Sequence, residues 1–271
     1  SAMVEKTIFR PNLPTSYLMA SRIALFRKSY DDAIAYADSV LLSTKATLFD
    51  MTEDYTIPRF LNSGNCEILF SYGEAPSGGL AAFQYASSRR AAFIPSTGLM
   101  KLYVENDQRK ASKLFFATEG KKPMKYYGST SDNMYPHAFR LAEVYLNRAE
   151  AYVLWDHKVT EALKDLNELR RNRIEGYSDV SISDPVLLLE EIRKERRLEL
   201  AREGHRWLDL RRYGMPSIKH TWLPGEGLTL QTFVLKAKDP MYTLPLPESV
   251  LGVNPALTQN ASANTPERKA E

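Results

Sequence analysis

Two stretches of the chain repeat apolar side chains every three to four residues, the period of a helix that buries one face. In "NLPTSYLMASRIALFRKSYDDAIAYADSVLLST" (12–44), Leu18, Ile23, Leu25 and Phe26 mark a first helix and Ala33, Ile34, Ala37, Val40 and Leu41 a second. The turn falls near "KSYDD", with Asp31 or Asp32 placed to N-cap the second helix. "AFRLAEVYLNRAEAYVLW" (138–155) and "VTEALKDLNELRRNR" (159–173) form another pair, joined at "DHK". A shift of 129 positions lays Ala20 on Ala149, Ala33 on Ala162, Asp32 on Glu161 and Ile34 on Leu163. The two pairs read as copies of one helical hairpin. Small residues thirteen positions apart at the helix crossing match the tetratricopeptide pattern.

Two such hairpins cannot bury their faces alone and need a cap or other partners. "DPVLLLEEIRKERRLELAREG" (184–204) predicts a long capping helix, with Asp184 at the N-cap, Pro185 in the first turn and Gly204 at the stop. Residues 52–137 differ: "EILFSYG" (67–73) reads as a strand, "APSGGL" and "PSTGL" as turns, and tyrosine and phenylalanine are abundant. After the long helix, "WLPGEGLTLQTFVLKAKDPMYTLPLPESV" (222–250) reads as loop and short strand, with "MYTLPLP" extended. The expected fold is mainly α, with tetratricopeptide-like hairpins, a capping helix and irregular insertions.

Composition narrows the function classes. A chain of 271 residues, 44% hydrophobic, has ample material for a core. Its 36 Lys and Arg against 33 Asp and Glu leave a formal charge of +3, too little by itself to imply a nucleic-acid partner. The single cysteine, Cys66, excludes an internal disulfide or a multi-cysteine zinc site and reads as a small residue in or near a strand. No apolar run reaches the roughly 18 to 20 residues of a membrane span, and the N-terminus lacks a basic-then-apolar signal. The opening "SAM" looks like a cloning remnant, which leaves room for a native leader upstream.

"ERRLELAREGHRWLDLRR" (195–212) carries ten charged side chains in eighteen positions. Glu195 and Glu199 share a helix face at a spacing that suits a metal or substrate. A di-iron bundle also needs Glu-x-x-His, which occurs nowhere, and His137, His157, His205 and His220 are scattered. HExxH, GxSxG, a phosphate-binding loop and GxGxxG are all missing, so no catalytic, metal or cofactor residue is assigned. The arginines of 193–212 alternate with Glu195, Glu199, Glu203 and Asp209, which weakens their field toward a phosphate backbone. The apolar stripe of Leu188 and Ile192 runs on into Glu195 or Arg196, Glu199 and Glu203. Buried charge is tolerable only when paired, so the stretch predicts an ion-pair network, with Arg140, Glu143, Arg148 and Glu150 as candidate partners.

"FRLAEVYLNRAEAY" (139–152), "ALKDLNELRRNR" (162–173), "ERRLELAREGHRWLDLRRYG" (195–214) and "YTLPLPESVLGVNPALTQN" (242–260) resemble, in that order, the C-terminal signature of the SusD/RagB family. "PSTGLMKLYVENDQRKASKLF" (95–115) resembles a fifth segment, with its Asp-x-Arg at Asp107 to Arg109. The resemblance implies one SusD-like domain over residues 1–271: hairpin 12–44, insertion 52–137, second hairpin and cap 138–214, and a C-terminal region 215–271. It implies a surface-exposed outer-membrane lipoprotein of Bacteroidetes-type bacteria that binds a glycan and hands it to a TonB-dependent SusC-like transporter, without catalysis. The family's lipid-bearing cysteine and much of its N-terminal region have no counterpart here. The alternative reading is a tetratricopeptide-type protein- or peptide-binding module, as in the RagB branch.

Sugars offer C–H faces to aromatic rings and hydroxyls to polar side chains. "SYGEAPSGGLAAFQYASSRR" (71–90) sets Tyr72, Phe83, Gln84, Tyr85 and Arg89 among small residues, and Trp222 precedes "LPGEG". These six are the expected ligand-binding residues. Trp155 and Trp207 continue helical apolar stripes and are expected to pack internally.

Overall fold

The computed structural model describes residues 10–53, 60, 64–72, 95–111, 116–117, 122–123, 137–222, 229–267 and 269–270. The chain divides into two compact units, Ser1–Glu203 and Gly204–Glu271.

In the first unit, α1 (Leu13–Arg27) begins at Asn12, whose side chain accepts from the Thr15 N–H, and α2 (Tyr30–Ser43) follows after two residues. Strand β1 (Ile68–Tyr72) leads to the short helices α3 (Thr97–Met100) and α4 (Gln108–Ala111) and the two-residue strands β2 (Phe116–Ala117) and β3 (Lys122–Pro123). Strand β4 (His137–Arg140) pairs antiparallel with β1 and runs directly into α5 (Leu141–Asp156). Helix α6 (Val159–Arg171) completes the second hairpin, and α7 (Pro185–Glu199) packs on α5 and α6. The helical fold is the one expected.

The 129-residue repeat holds to the turn. Lys28 and His157, equivalent positions, both close the first helix of their hairpin in the left-handed conformation, at φ 65° and 47°. At the first crossing the buried Ser21 hydroxyl donates to the Ala33 carbonyl oxygen at 2.9 Å. Ala33, Ala149 and Ala162 are fully buried, as their small size at a close approach requires. Leu18, Ala37, Val40, Leu69, Phe139, Leu141 and Val144 form one cluster, and Ala149, Val153, Ala162, Leu166, Leu188 and Ile192 another.

Several expectations need correcting. Ile23, Phe26 and Trp155 are about half exposed, not core. Phe26 and Trp155 are repeat equivalents on the last turn of their helices. Ser29, not Asp31 or Asp32, occupies the N-cap of α2; both aspartates lie in its first turn, where they face the positive end of the helix dipole. Residues 137–140 are strand rather than helix, and Ser96 caps a helical turn within "PSTGL". The capping helix keeps Asp184, which accepts from the Val186 and Leu187 N–H groups, but stops at Glu199 instead of Gly204. Tyr103 Oη donates to the Leu198 carbonyl oxygen at 2.8 Å and Arg140 Nη2 to that of Glu199 at 3.0 Å. Side chains remote in sequence thus take over the last carbonyls, and Arg202 and Gly204 turn the chain at φ 66° and 83°.

The second unit opens with α8 (His205–Arg212), for which Gly204 is the N-cap. Strands β5 (Ile218–Trp222) and β6 (Gln231–Leu235) form an antiparallel pair, followed by a 3-10 turn, Pro240–Tyr242, and the short helix α9 (Glu248–Val253). Leu210, Leu235 and Tyr242 make its core, with Trp207 stacked 5.0 Å from Tyr242. Trp207 therefore packs internally, as expected. Among the described residues no helix is long and apolar enough to cross a membrane.

Candidate functional site

The charged stretch resolves into a buried ionic cluster. Glu199 receives hydrogen bonds from three guanidinium groups: Arg109 at 2.9 Å, Arg140 at 2.8 Å, and Arg173 at 3.0 and 3.1 Å. Arg109 also forks onto Asp107 at 2.8 and 2.9 Å and reaches Glu195 at 2.6 Å, while Glu195 pairs with Arg170 at 2.7 Å. Glu67, just ahead of β1, accepts from Arg140 at 2.5 Å and Arg173 at 2.6 Å. Arg140 grips Glu203 with two further bonds. Burial alone would raise the Glu199 carboxyl, but Arg173, Arg140 and Arg109 outweigh it and hold it well below the ordinary carboxylate value. Glu195 is held low in the same way, by Arg109 and Arg170 against burial.

Of the four predicted partners, Arg140 joins this cluster. Glu143 instead pairs with Arg22, Arg148 with Asp38 and Asp165, and Glu150 with Arg193. With both Glu199 oxygens saturated by arginine and no solvent access, the cluster is a structural clamp that offers a reactant no approach. Among the described residues no group of three or more His, Cys, Asp or Glu is arranged to hold a metal ion.

Exposed aromatic rings are what each unit offers a ligand. In the first unit, Phe70 and Tyr72 alternate along β1 onto one face and stack 5.6 Å apart, nearly parallel at 10°. Phe139 of β4 closes the group, 6.0 Å from Phe70 and 6.1 Å from Tyr72. Phe139 is buried, Phe70 half-buried and Tyr72 45% exposed, so the ladder rises from core to solvent. Arg22 of α1 lies over Phe139 at 4.5 Å and is fixed by two 2.6 Å bonds to Glu143. Burial works against the Arg22 charge, but Glu143 prevails and its pKa is raised; Arg22 stays protonated. The surface joins a ring face to a part-exposed cation, which the buried Glu143 holds in place.

Of the predicted ligand residues, Tyr72 stands on this surface. Trp222 is 55% exposed at the end of β5, in the second unit. Phe83, Gln84, Tyr85 and Arg89 lie outside the described residues. Sequence reasoning missed Phe70, Phe139 and Arg22. The alternation Phe70-Ser71-Tyr72 was the signal available for Phe70; Arg22 carried none, because its place depends on how α1 meets β4. Cys66 is exposed two residues before β1, close to where it was expected.

The SusD family model matches residues 108–262, more than half of the chain and most of its length beyond α3. The chain belongs to the SusD family. Solved structures agree with that assignment. A SusD superfamily protein from Parabacteroides distasonis superposes with TM-score 0.69 at 17% identity, covering 94% of this chain and 64% of its own. Another from Bacteroides thetaiotaomicron gives TM-score 0.69 at 25% identity, over 95% of this chain and 62% of its own. Surface glycan-binding protein A from Bacteroides uniformis gives TM-score 0.59 at 20% identity, over 95% and 63%. The chain thus spans a little under two thirds of the length of these SusD-like structures. Among curated proteins none matches it. The SusD family match takes in Arg109, Arg140, Arg173, Glu195 and Glu199, the heart of the ionic clamp, and also Trp222; Tyr72 and the first hairpin precede it.

Proposed function

We propose that the chain binds a glycan at the cell surface and delivers it to a TonB-dependent SusC-like transporter, acting by binding rather than catalysis. The observation that carries this reading is the Tyr72–Phe70 stack opening to solvent beside the fixed Arg22–Glu143 pair. An exposed ring takes the C–H face of a sugar, and the part-exposed Arg22, held rigid by the buried Glu143, donates to hydroxyls at little entropic cost. Phe83, Gln84, Tyr85 and Arg89 lie close after Tyr72 in sequence and extend the same ligand region in this proposal, with Trp222 as a separate contributor. Membership of the SusD family and likeness to a surface glycan-binding protein support the ligand class. The same membership supports an outer-membrane setting through a lipid anchor.

The test is retention on a panel of immobilised polysaccharides and peptides. Tyr72→Ala is expected to weaken glycan retention on the order of tenfold, the scale of one stacking contact, while circular dichroism and melting stay unchanged. Capture of peptides with indifference to every glycan would overturn the reading.

A further inference from the structure

The β5–β6 pair presents a face that the core of its unit uses only in part. Cross-strand pairing sets Ile218 opposite Leu235, His220 opposite Phe233 and Trp222 opposite Gln231. Residues directly opposite share a face, so these six side chains stand on one side of the pair. At one end Leu235 is buried with Leu210 and Tyr242, and Ile218 packs against them. At the other end the same face emerges: Trp222 and His220 are exposed, Phe233 and Gln231 half-buried. The Trp222 and Phe233 rings lie 6.5 Å apart, inclined at 48°, and make an open angle rather than a closed stack. Among the described residues, the indole N–H, the imidazole and the carboxamide of this group make no hydrogen bond.

The reverse face carries Lys219, Thr221, Thr232 and Val234, with no ring. The aromatic surface is therefore confined to one side and one end of the pair, where an imidazole and a carboxamide lie beside it. A face built only to pack would continue the aliphatic Ile218–Leu235 pair. A large indole held in water beside an amide and an imidazole instead has the make-up of a sugar contact, apolar plate plus directional polar groups.

We propose that this face is a saccharide subsite in its own right. Trp222 stacks on the C–H face of a pyranose ring, Phe233 buttresses the indole, and Gln231 and His220 hydrogen-bond the ring's hydroxyls. The inference rests on the glycan-binding reading above and extends it: it names Gln231 and His220 as binding residues and makes the subsite complete within Gly204–Glu271, without Tyr72.

Affinity electrophoresis through gels cast with amylopectin, xylan, pectin or mucin tests it, followed by titration calorimetry on whichever retards the wild type most. Trp222→Ala is expected to weaken binding on the order of tenfold or more, and Gln231→Ala about three- to tenfold, the scale of one hydrogen bond. Trp222→Phe, which keeps a ring, should lose less than Trp222→Ala, with melting temperatures unchanged throughout. If Trp222→Ala and Gln231→Ala bind like the wild type while Tyr72→Ala does not, the subsite is overturned and the glycan reading stands. If none of the four polysaccharides retards the wild type, both are overturned.

Discussion

The two helical hairpins share a skeleton and differ in surroundings. Helices α1 and α5 start within one residue of equivalent positions and end at equivalent ones, close with a left-handed residue at the same place, and expose an equivalent ring, Phe26 or Trp155, on the last turn. Yet α5 packs against α2 and α7, and its buried charged groups are all engaged. Glu143 takes Arg22, Asn147 takes Arg196, Glu150 takes Arg193, and Arg148 bridges Asp38 of α2 to Asp165 of α6. At the equivalents of Arg148 and Tyr152, α1 carries Met19 and Ile23, both about half exposed. A repeated backbone therefore does not impose a repeated surface. Whether a neighbour lies against a given face decides whether it is ionic and paired or apolar and open.

The sharpest way to break that contrast is to remove the anion at the centre of the clamp on the α5 side. Glu199→Ala would leave Arg109, Arg140 and Arg173 buried with one shared partner gone. A loss of about 3–5 kcal/mol is expected, because unpaired buried charge is far more costly than an unmade surface pair. Thermal unfolding should fall by roughly ten degrees. Calorimetry showing an unchanged midpoint would mean the clamp contributes nothing to the fold.

Acid should act on the same groups more gently. Glu195 and Glu199 have folded pKa values below the ordinary 4.5, so the unfolded chain binds protons first as the pH drops. Their contribution is complete above the ordinary carboxylate range and is lost progressively as the pH falls through it toward the folded values. Urea midpoints should hold from pH 7 to about 5 and then decline, with the decline shallower in Glu199→Ala. A wild-type midpoint flat from pH 5 to 3 would contradict the linkage.

The junction between hairpins comes next in size. Arg148 meets Asp165 through two bonds at 2.6 and 2.8 Å and Asp38 through one at 2.6 Å, part-buried. Arg148→Ala should cost about 2 kcal/mol, less than Glu199→Ala because solvent reaches the pair and screens it. The equivalent Met19→Ala, on an open face, should change stability by about 0.5 kcal/mol or less. Equal losses at the two positions, measured by urea denaturation, would erase the distinction between the faces.

Much of this organisation is legible in the sequence, and the exceptions share a cause. Periodicity finds both hairpins, and Asp184-Pro185 announces the start of α7 by local chemistry alone. The stripe running from Ile192 into Glu195 and Glu199 signals buried charge before any partner is known. What local pattern cannot supply is the partner from afar. The end of α7 depends on Tyr103 and Arg140, each more than fifty residues away, and nothing between Leu198 and Gly204 breaks a helix by itself. Arg140 reads as helical text, yet its extended backbone completes β4 and points its guanidinium at three glutamates. The Tyr72 surface shows the same division. Its exposed ring is visible in "EILFSYG", whereas the Phe139 and Arg22 that brace it come from two other elements.

The smallest effect tests the skeleton itself. Lys28 and His157 hold the left-handed conformation that costs a residue with a Cβ roughly 1–2 kcal/mol and glycine almost nothing. Glycine repays part of that gain through the greater freedom of the unfolded chain. Lys28→Gly and His157→Gly should therefore each stabilise by about 0.5 kcal/mol, and their effects should add, since the sites share no partner. Matching gains would show that the turn is the invariant part of the repeat, independent of the ionic clamp beside one hairpin and the open apolar face of the other. A gain at one site and a loss at the other, read from paired melting curves, would show that the surroundings govern even the turn.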